Sequence, residues 1–288
     1  MAVYLASDLH LSASRPERVD DFVRFTRGPA RGASQVYLLG DLFDLWLGDD
    51  DDRPPHGRVL AALAGLTGAG VPVAVMRGNH DFTLGESFAR ITGATLLDDP
   101  TVVEIHGTRV VLTHGDALCT DDVDYQAFRS RIQHPDTVQD FLARPLQERA
   151  AIAEDLRRQS AAAVAGKSVE TMDVNPGAAR SLAAEHGAEH LVHGHTHRPD
   201  VHPLEPASGA GTRIVLAPWY QSSPVLIWDE QGYRMAEAGD TLPVDESRVL
   251  PDYRPDDVRV SWRSGEDVAR ARSSEGTQRG AEATVEPL

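Results

Sequence analysis

Five short segments carry residues that bind metals or move protons: SDLH at 7–10, GD at 40–41, GNHD at 78–81, HGD at 114–116 and HGHTH at 193–197. Each follows a β-branched or leucine-rich run and opens with a small or polar residue. The side chains are therefore expected where strands end, the edge at which open α/β sheets place their chemistry. Together the five segments read as a two-metal hydrolase site.

Asp8 and His10 are two apart on what reads as one extended segment, so both side chains can face one cation. Asp41 follows Gly40, where a small residue lets the chain turn and aims a carboxylate into a cleft; such a carboxylate can bridge two metals. Asn79 supplies an amide oxygen, a hard neutral ligand suited to manganese or magnesium. His80, beside it, can point at the substrate instead of the metal. His114 repeats the strand-then-ligand pattern. His193, His195 and His197 alternate, and His195 and His197 both face the site only if the backbone twists away from a flat strand. Summed, Asp8, His10, Asp41 and His197 would hold one metal, and Asp41, Asn79, His114 and His195 the other. Oxygen and imidazole donors without thiolate favour manganese, iron, zinc or magnesium over a structural zinc. Two such ions would clamp a phosphoryl group and activate water, which is phosphoester or pyrophosphate hydrolysis.

The 288 residues carry a formal net charge of -16. That acidity argues against a nucleic-acid partner, since phosphate backbones are met by Lys and Arg. An acidic protein handling an anionic substrate needs local positive charge, and divalent metals supply it. The single cysteine, Cys119, excludes an internal disulfide and suits a reducing compartment; with no basic neighbour in sequence it reads as structural, not nucleophilic. The opening MAVYLASDLH lacks the basic start of a secretory leader. No apolar stretch nears the roughly 20 residues of a membrane span. A cytosolic protein is expected, at most resting on a membrane surface.

Strand-length apolar runs lie at 2–6, 35–39, 71–76, 101–105, 109–113, 190–192, 213–217 and 224–228. Helical spacing at Val19, Phe22 and Val23 and across 58–66 separates the early ones, so the first third alternates β and α. GTR at 107–109 reads as a hairpin turn. An α/β core follows, of two mixed sheets packed face to face with helices outside. Residues 121–186 interrupt the strands: Val138, Phe141 and Leu142, then Ile152, Ala153 and Leu156, keep helix spacing, and Pro145 suits the first turn of a second helix. This section reads as an inserted helical cap within a domain spanning 1–247. From 248 to 288 the composition turns polar and reads as a disordered tail.

The segments DLH, GDLFD, GNHD, THGD and HGHTHRP resemble those of the calcineurin-like metallophosphoesterases. More narrowly, YLLGDLFDLWLGDDD at 37–51, HGDALCTDDVDYQAFR at 114–129 and KSVETMDVN at 167–175 resemble the UDP-2,3-diacylglucosamine diphosphatase family of lipid A biosynthesis. The resemblance covers roughly residues 1–240. It implies a manganese enzyme lying peripherally on the cytoplasmic face of a bacterial inner membrane. Such an enzyme adds water to the α-phosphate of UDP-2,3-diacylglucosamine, releasing UMP and 2,3-diacylglucosamine 1-phosphate. Carried over by position, Asp41, Asn79, His80 and His114 stand at the reacting centre. Substrate contacts are Asn79, His80, Asp122, Ser160, Lys167 and His195, and the cap would cover the acyl chains.

Two positions depart from the family pattern. His80 stands where better-known members have Arg, and its charge depends on pH where Arg's does not. Val164 stands where the family often has Asn, and it makes no such hydrogen bonds. These two favour, as a rival, a phosphodiesterase of the same fold acting on another nucleotide. A third reading, a non-catalytic scaffold, requires lost ligands, and all seven are present.

Overall fold

The computed structural model describes residues 1–204, 211–220 and 223–238. The tail expected over 248–288 lies outside the described residues. Two sheets carry the chemistry. The first has the order β11-β10-β1-β2-β3-β4, with β1 Val3–Ala6, β2 Gln35–Leu39, β3 Val73–Met76, β4 Thr95–Leu97, β10 Pro224–Asp229 and β11 Gly232–Glu237. The second has the order β5-β6-β7-β9-β8, with β5 Thr101–Ile105, β6 Thr108–Leu112, β7 His190–His193, β8 Asp200–Leu204 and β9 Gly211–Val215. Strands β1 to β4 run parallel, as do β6, β7 and β9, while β5, β8, β10 and β11 pair antiparallel.

The inner faces of the two sheets share one core. Leu5, Leu39, Met76 and Leu226 of the first sheet meet Val110, Leu112, Val192 and Ile214 of the second. Strands buried on both faces read as unbroken apolar runs, which is why VYLA and VAVM carry no alternation. On the outer face of the second sheet, Val111 and Leu191 pack with Ala179 and Ala183 of helix α7, Pro176–Glu185.

Helices α1 (Pro16–Arg27), α2 (His56–Gly68) and α3 (Glu86–Thr92) connect the first strands. In α1, Val19, Phe22 and Val23 are buried, Pro16 begins the first turn, and Glu17 and Arg27 stand at the ends that suit their charge. Between β6 and β7 come α4 (Val123–Ile132), α5 (Pro135–Leu142), α6 (Leu146–Val164) and α7. Neither α4 nor α5 has a buried residue. What anchors α6 is Arg149, itself buried, which donates to the Leu47 carbonyl and to both carboxylate oxygens of Asp50.

Several expectations shift. Strands β4, β8 and β11 were not read, being short, on edges or mostly polar. The hairpin between β5 and β6 turns at His106 and Gly107, both left-handed (φ 48° and 79°), one residue before the GTR reading. Pro145 caps α6 from outside instead of occupying its first turn. The segment holding Asp8 and His10 is not extended: β1 ends at Ala6, and both residues have positive φ.

Candidate metal centre

The carboxyl ends of β1, β2 and β3 lie along one edge because the strands are parallel, and those of β6 and β7 do likewise. Each candidate ligand sits in the loop after one of these ends. The loops after β1 and β2 run side by side, joined by Asp8 N to Gly40 O at 3.1 Å and His10 N to Asp41 O at 3.0 Å. Five of the seven candidate ligands take left-handed backbone: Asp8 (φ 54°), His10 (46°), Asp41 (53°), His195 (66°) and His197 (55°). Non-glycine residues avoid this region, and such positions gather where function holds them. The conformation also resolves the HGHTH problem. Strand β7 ends at His193, and the left-handed steps turn both later imidazoles into the site.

The donor atoms converge in overlapping groups. Asp8, His10 and His197 form one, with His197 Nε2 at 3.2 Å from Asp8 Oδ1 and from His10 Nε2. Asp8, Asp41 and His114 form another, with His114 Nε2 at 3.7 Å from Asp41 Oδ2. Asn79 Oδ1 lies 3.0 Å from His114 Nε2 and 2.8 Å from His195 Nδ1. Asp41 Oδ2 also stands 3.7 Å from His10 Nε2, which places this carboxylate between the two sets. His80 Nε2 is 4.0 Å from the same oxygen, and His10, Asp41 and His80 make a third group. His80 thus faces both the centre and the open cavity beside it.

Surrounding groups hold these side chains in place. The Nδ1–H of His114 donates to the Leu39 carbonyl at 2.9 Å, and that of His80 to the Asp44 carbonyl at 2.9 Å, which leaves each Nε2 facing inward. Ser7 donates to Asp8, whose Oδ2 also accepts from His195 N at 2.9 Å. His80 N donates to Asp41 Oδ1 at 2.8 Å. Asp81, wholly buried, accepts from Gly78 N at 2.7 Å and Phe43 N at 3.2 Å, tying the GNHD turn to the β2 loop. A Cβ on Gly78 would strike Asp41, and one on Gly194 would strike Ser7 and Asp8, so both positions need glycine.

The electrostatics suit cations. Burial opposes ionisation of Asp8 and Asp41, yet the imidazoles around them hold both carboxyls below the usual range. Burial likewise opposes the charged form of His114, but Asp41 and Asp8 raise its pKa to about 10. His10 and His195 are pushed down to about 4, chiefly by burial. Neutral imidazoles and ionised carboxylates are the forms that bind metal, so Asp8, Asp41, His10 and His195 are ready for it, while His114 would give up a proton to an incoming cation. Asn79 Oδ1 lies against two ring nitrogens and His10 Nε2 against His197 Nε2, so oxygen and imidazole donor atoms crowd together as they would around a cation. This donor set fits two divalent first-row ions.

The profile of the calcineurin-like phosphoesterases matches residues 1–199. The chain belongs to this family. Among relatives of known name, UDP-2,3-diacylglucosamine hydrolase of Aeromonas hydrophila is 46% identical over 227 residues, covering 79% of this chain and 94% of its own. The protein of that name from Stenotrophomonas maltophilia is 44% identical over 242 residues, 82% of this chain and 98% of the relative. An Escherichia coli hydrolase of the same name is 46% identical over 226 residues, 78% and 94%.

Around the centre of this phosphoesterase, the remaining expected contacts fall into two places. Asp122 caps α4 through Tyr125 N, and Lys167 donates to both its oxygens at 2.6 and 2.8 Å. Ser160 is exposed on α6, and Val164 closes that helix 48% exposed. Sequence reading missed the groups that brace the ligands. The Tyr125 ring stacks on His195 with centroids 5.8 Å apart, while its hydroxyl donates to Asp116. Tyr220 meets His197 Nδ1 at 2.5 Å. Asp44 joins His80, through its carbonyl, to Arg157 of α6, through its carboxylate. The place of Asp116 within the HGD motif and the proximity of Tyr125 to CTDD were the available signals; for Tyr220 there was none. Cys119 is buried, and burial with Asp116 beside it pushes its thiol to about 12.

No helix among the described residues is long and apolar enough to cross a membrane.

Proposed function

We propose that this chain hydrolyses the diphosphate of UDP-2,3-diacylglucosamine by water attack on the α-phosphate, giving UMP and 2,3-diacylglucosamine 1-phosphate. The observation that carries the reading is the convergence of Asp8, His10, Asp41, Asn79, His114, His195 and His197 at the strand ends, in a chain 46% identical over 227 residues to a protein named for that hydrolysis. These seven residues would hold two manganese ions. Bound divalent ions supply Lewis acidity toward the phosphoryl oxygens and lower the pKa of water.

The chain's own part is positioning and proton handling. Asp41, between both donor sets, would serve both ions. Asn79 orients its amide oxygen through His114 and His195. His80, with Nδ1–H committed to Asp44 and Nε2 open toward the cavity, meets the phosphate or hands a proton to the departing oxygen. Lys167, paired with Asp122, would offer positive charge and Ser160 a hydrogen bond to the substrate's head group.

Residues 121–186 would act as a cap over the acyl chains. In support, Phe128, Ile132, Val138 and Phe141 are only half-buried, while Leu142 and Val164 are exposed, an apolar face left incomplete by the rest of the chain. The same face suits peripheral contact with the cytoplasmic surface of an inner membrane.

The deciding assay is UMP release from UDP-2,3-diacylglucosamine by metal-stripped protein with and without added manganese, beside a small chromogenic phosphodiester. Fast manganese-dependent UMP release far exceeding diester cleavage is expected. Turnover of the diester alone would overturn the substrate and leave the rival nucleotide phosphodiesterase.

A further inference from the structure

Arg18 is the misfit of this molecule. It is 8% exposed, yet its Nε has no hydrogen-bond partner, and among the described residues no carboxylate pairs with its guanidinium. The Tyr220 ring lies against it, with the guanidinium carbon 4.7 Å from the centroid. A buried charge left unpaired is costly, and in a chain of net charge -16 partners are plentiful. Arg18 instead lines a cavity of about 640 Å³ together with Ser12, Ser14 and Arg15. His10, His80 and His197 form its inner wall, so it opens directly onto the metal centre. The one carboxylate among its lining residues, Asp44, is already taken by Arg157 at 2.9 Å.

We infer that Arg18, stacked on Tyr220 and aided by Arg15, Ser12 and Ser14, forms a second phosphate subsite on the His197 side of the metal centre, where it binds the phosphate of a diphosphate substrate that the metals do not hold. A planar guanidinium with free N–H groups matches phosphate oxygens in charge and geometry. The Tyr220 ring fixes its plane, and the same tyrosine contacts His197, so one side chain sets the subsite's position relative to the metal ligands. This inference rests on the proposed diphosphate substrate, but its test does not use the lipid.

The test measures binding of UDP and UMP to the manganese-loaded full chain by calorimetry, for the wild type and for Arg18→Met and Arg18→Lys. The wild type is expected to bind UDP at least about tenfold more tightly than UMP, as a charged hydrogen-bonding group added to one ligand predicts. Arg18→Met should shrink that margin to within about twofold, with Arg18→Lys between. Because no hydrogen bond or ion pair of Arg18 is lost and Met keeps apolar contact with the Tyr220 ring, the Met variant should melt close to the wild type. Equal UDP and UMP affinity in the wild type, or a margin that survives in Arg18→Met, would overturn the subsite. So would a lowered melting temperature with equal loss of both ligands, which marks a structural arginine. Absence of UMP release from the lipid substrate, with the UDP margin intact, would instead overturn the proposed substrate alone.

Discussion

The ammonium of Lys167 lies within 2.6 and 2.8 Å of the two carboxylate oxygens of Asp122. Two residues expected to meet the substrate separately therefore meet each other. Both are largely shielded, with side chains 18% and 8% exposed, so the pair is coupled more tightly than a surface ion pair. Lys167→Ala is expected to raise KM for the nucleotide lipid about tenfold while leaving a small diester within about twofold. Combined with Asp122→Asn, the losses should fall well short of additive. Equal losses on both substrates would make Lys167 structural.

Asp41 stands within 3.7 Å of His10 and of His114, one from each donor set. Asp41→Ala should lower turnover on the order of a thousandfold even at saturating manganese, and bound metal should fall in parallel. Near-normal activity would remove Asp41 from its bridging place.

Gly194 passes so close to Ser7 and Asp8 that no side chain fits between them. Gly194→Ala is expected to destabilise the fold by about 1–3 kcal/mol, typical of forced overpacking. It should also displace Asp8, so elemental analysis should find fewer metal ions per chain than in wild type. Unchanged metal content would show that the loop yields without moving the carboxylate.

Arg149 is 2% exposed and holds α6 to the loop after β2 through Leu47 and Asp50. Arg149→Ala should cost about 2 kcal/mol in denaturant unfolding and hasten proteolysis within 143–167. An unaltered cleavage pattern would mean that other contacts suffice to seat the helix.

Cys119 offers a pH test away from the metals. Burial first, then Asp116, raises its pKa to about 12, against about 8.5 for a free thiol, so the thiolate is scarce throughout neutral and mildly alkaline pH. Alkylation by iodoacetamide at pH 9 should be on the order of a hundredfold slower in the native protein than in denaturant. Comparable rates would show the thiol accessible and ionised.

The candidate ligands could be picked out in the sequence because each follows a strand whose apolar run is unmistakable, and because Asp, Asn and His have few reasons to recur at such points. The bracing groups were not. Asp44 works through its carbonyl as well as its carboxylate, Tyr125 through stacking on a residue 70 positions away, and Arg18 through a buried Nε without a hydrogen-bond partner. None of these leaves a pattern of residue types. The left-handed turns at Asp8 and His10 were hidden for a related reason: DLH has the spacing of a strand, and only tertiary contacts impose the other conformation. Edge strands such as β4 and β8 lack the apolar density that revealed the central ones.

His197 reaches back across 189 residues to touch Asp8. During synthesis, then, the first ligand to leave the ribosome waits for one of the last. Strands β1 to β3 can pair early, but the Asp8–His10–His197 group does not exist until β7 and the loop after it have been made. Metal capture at that group would be an event of late assembly, and its occupancy would report that both sheets have met.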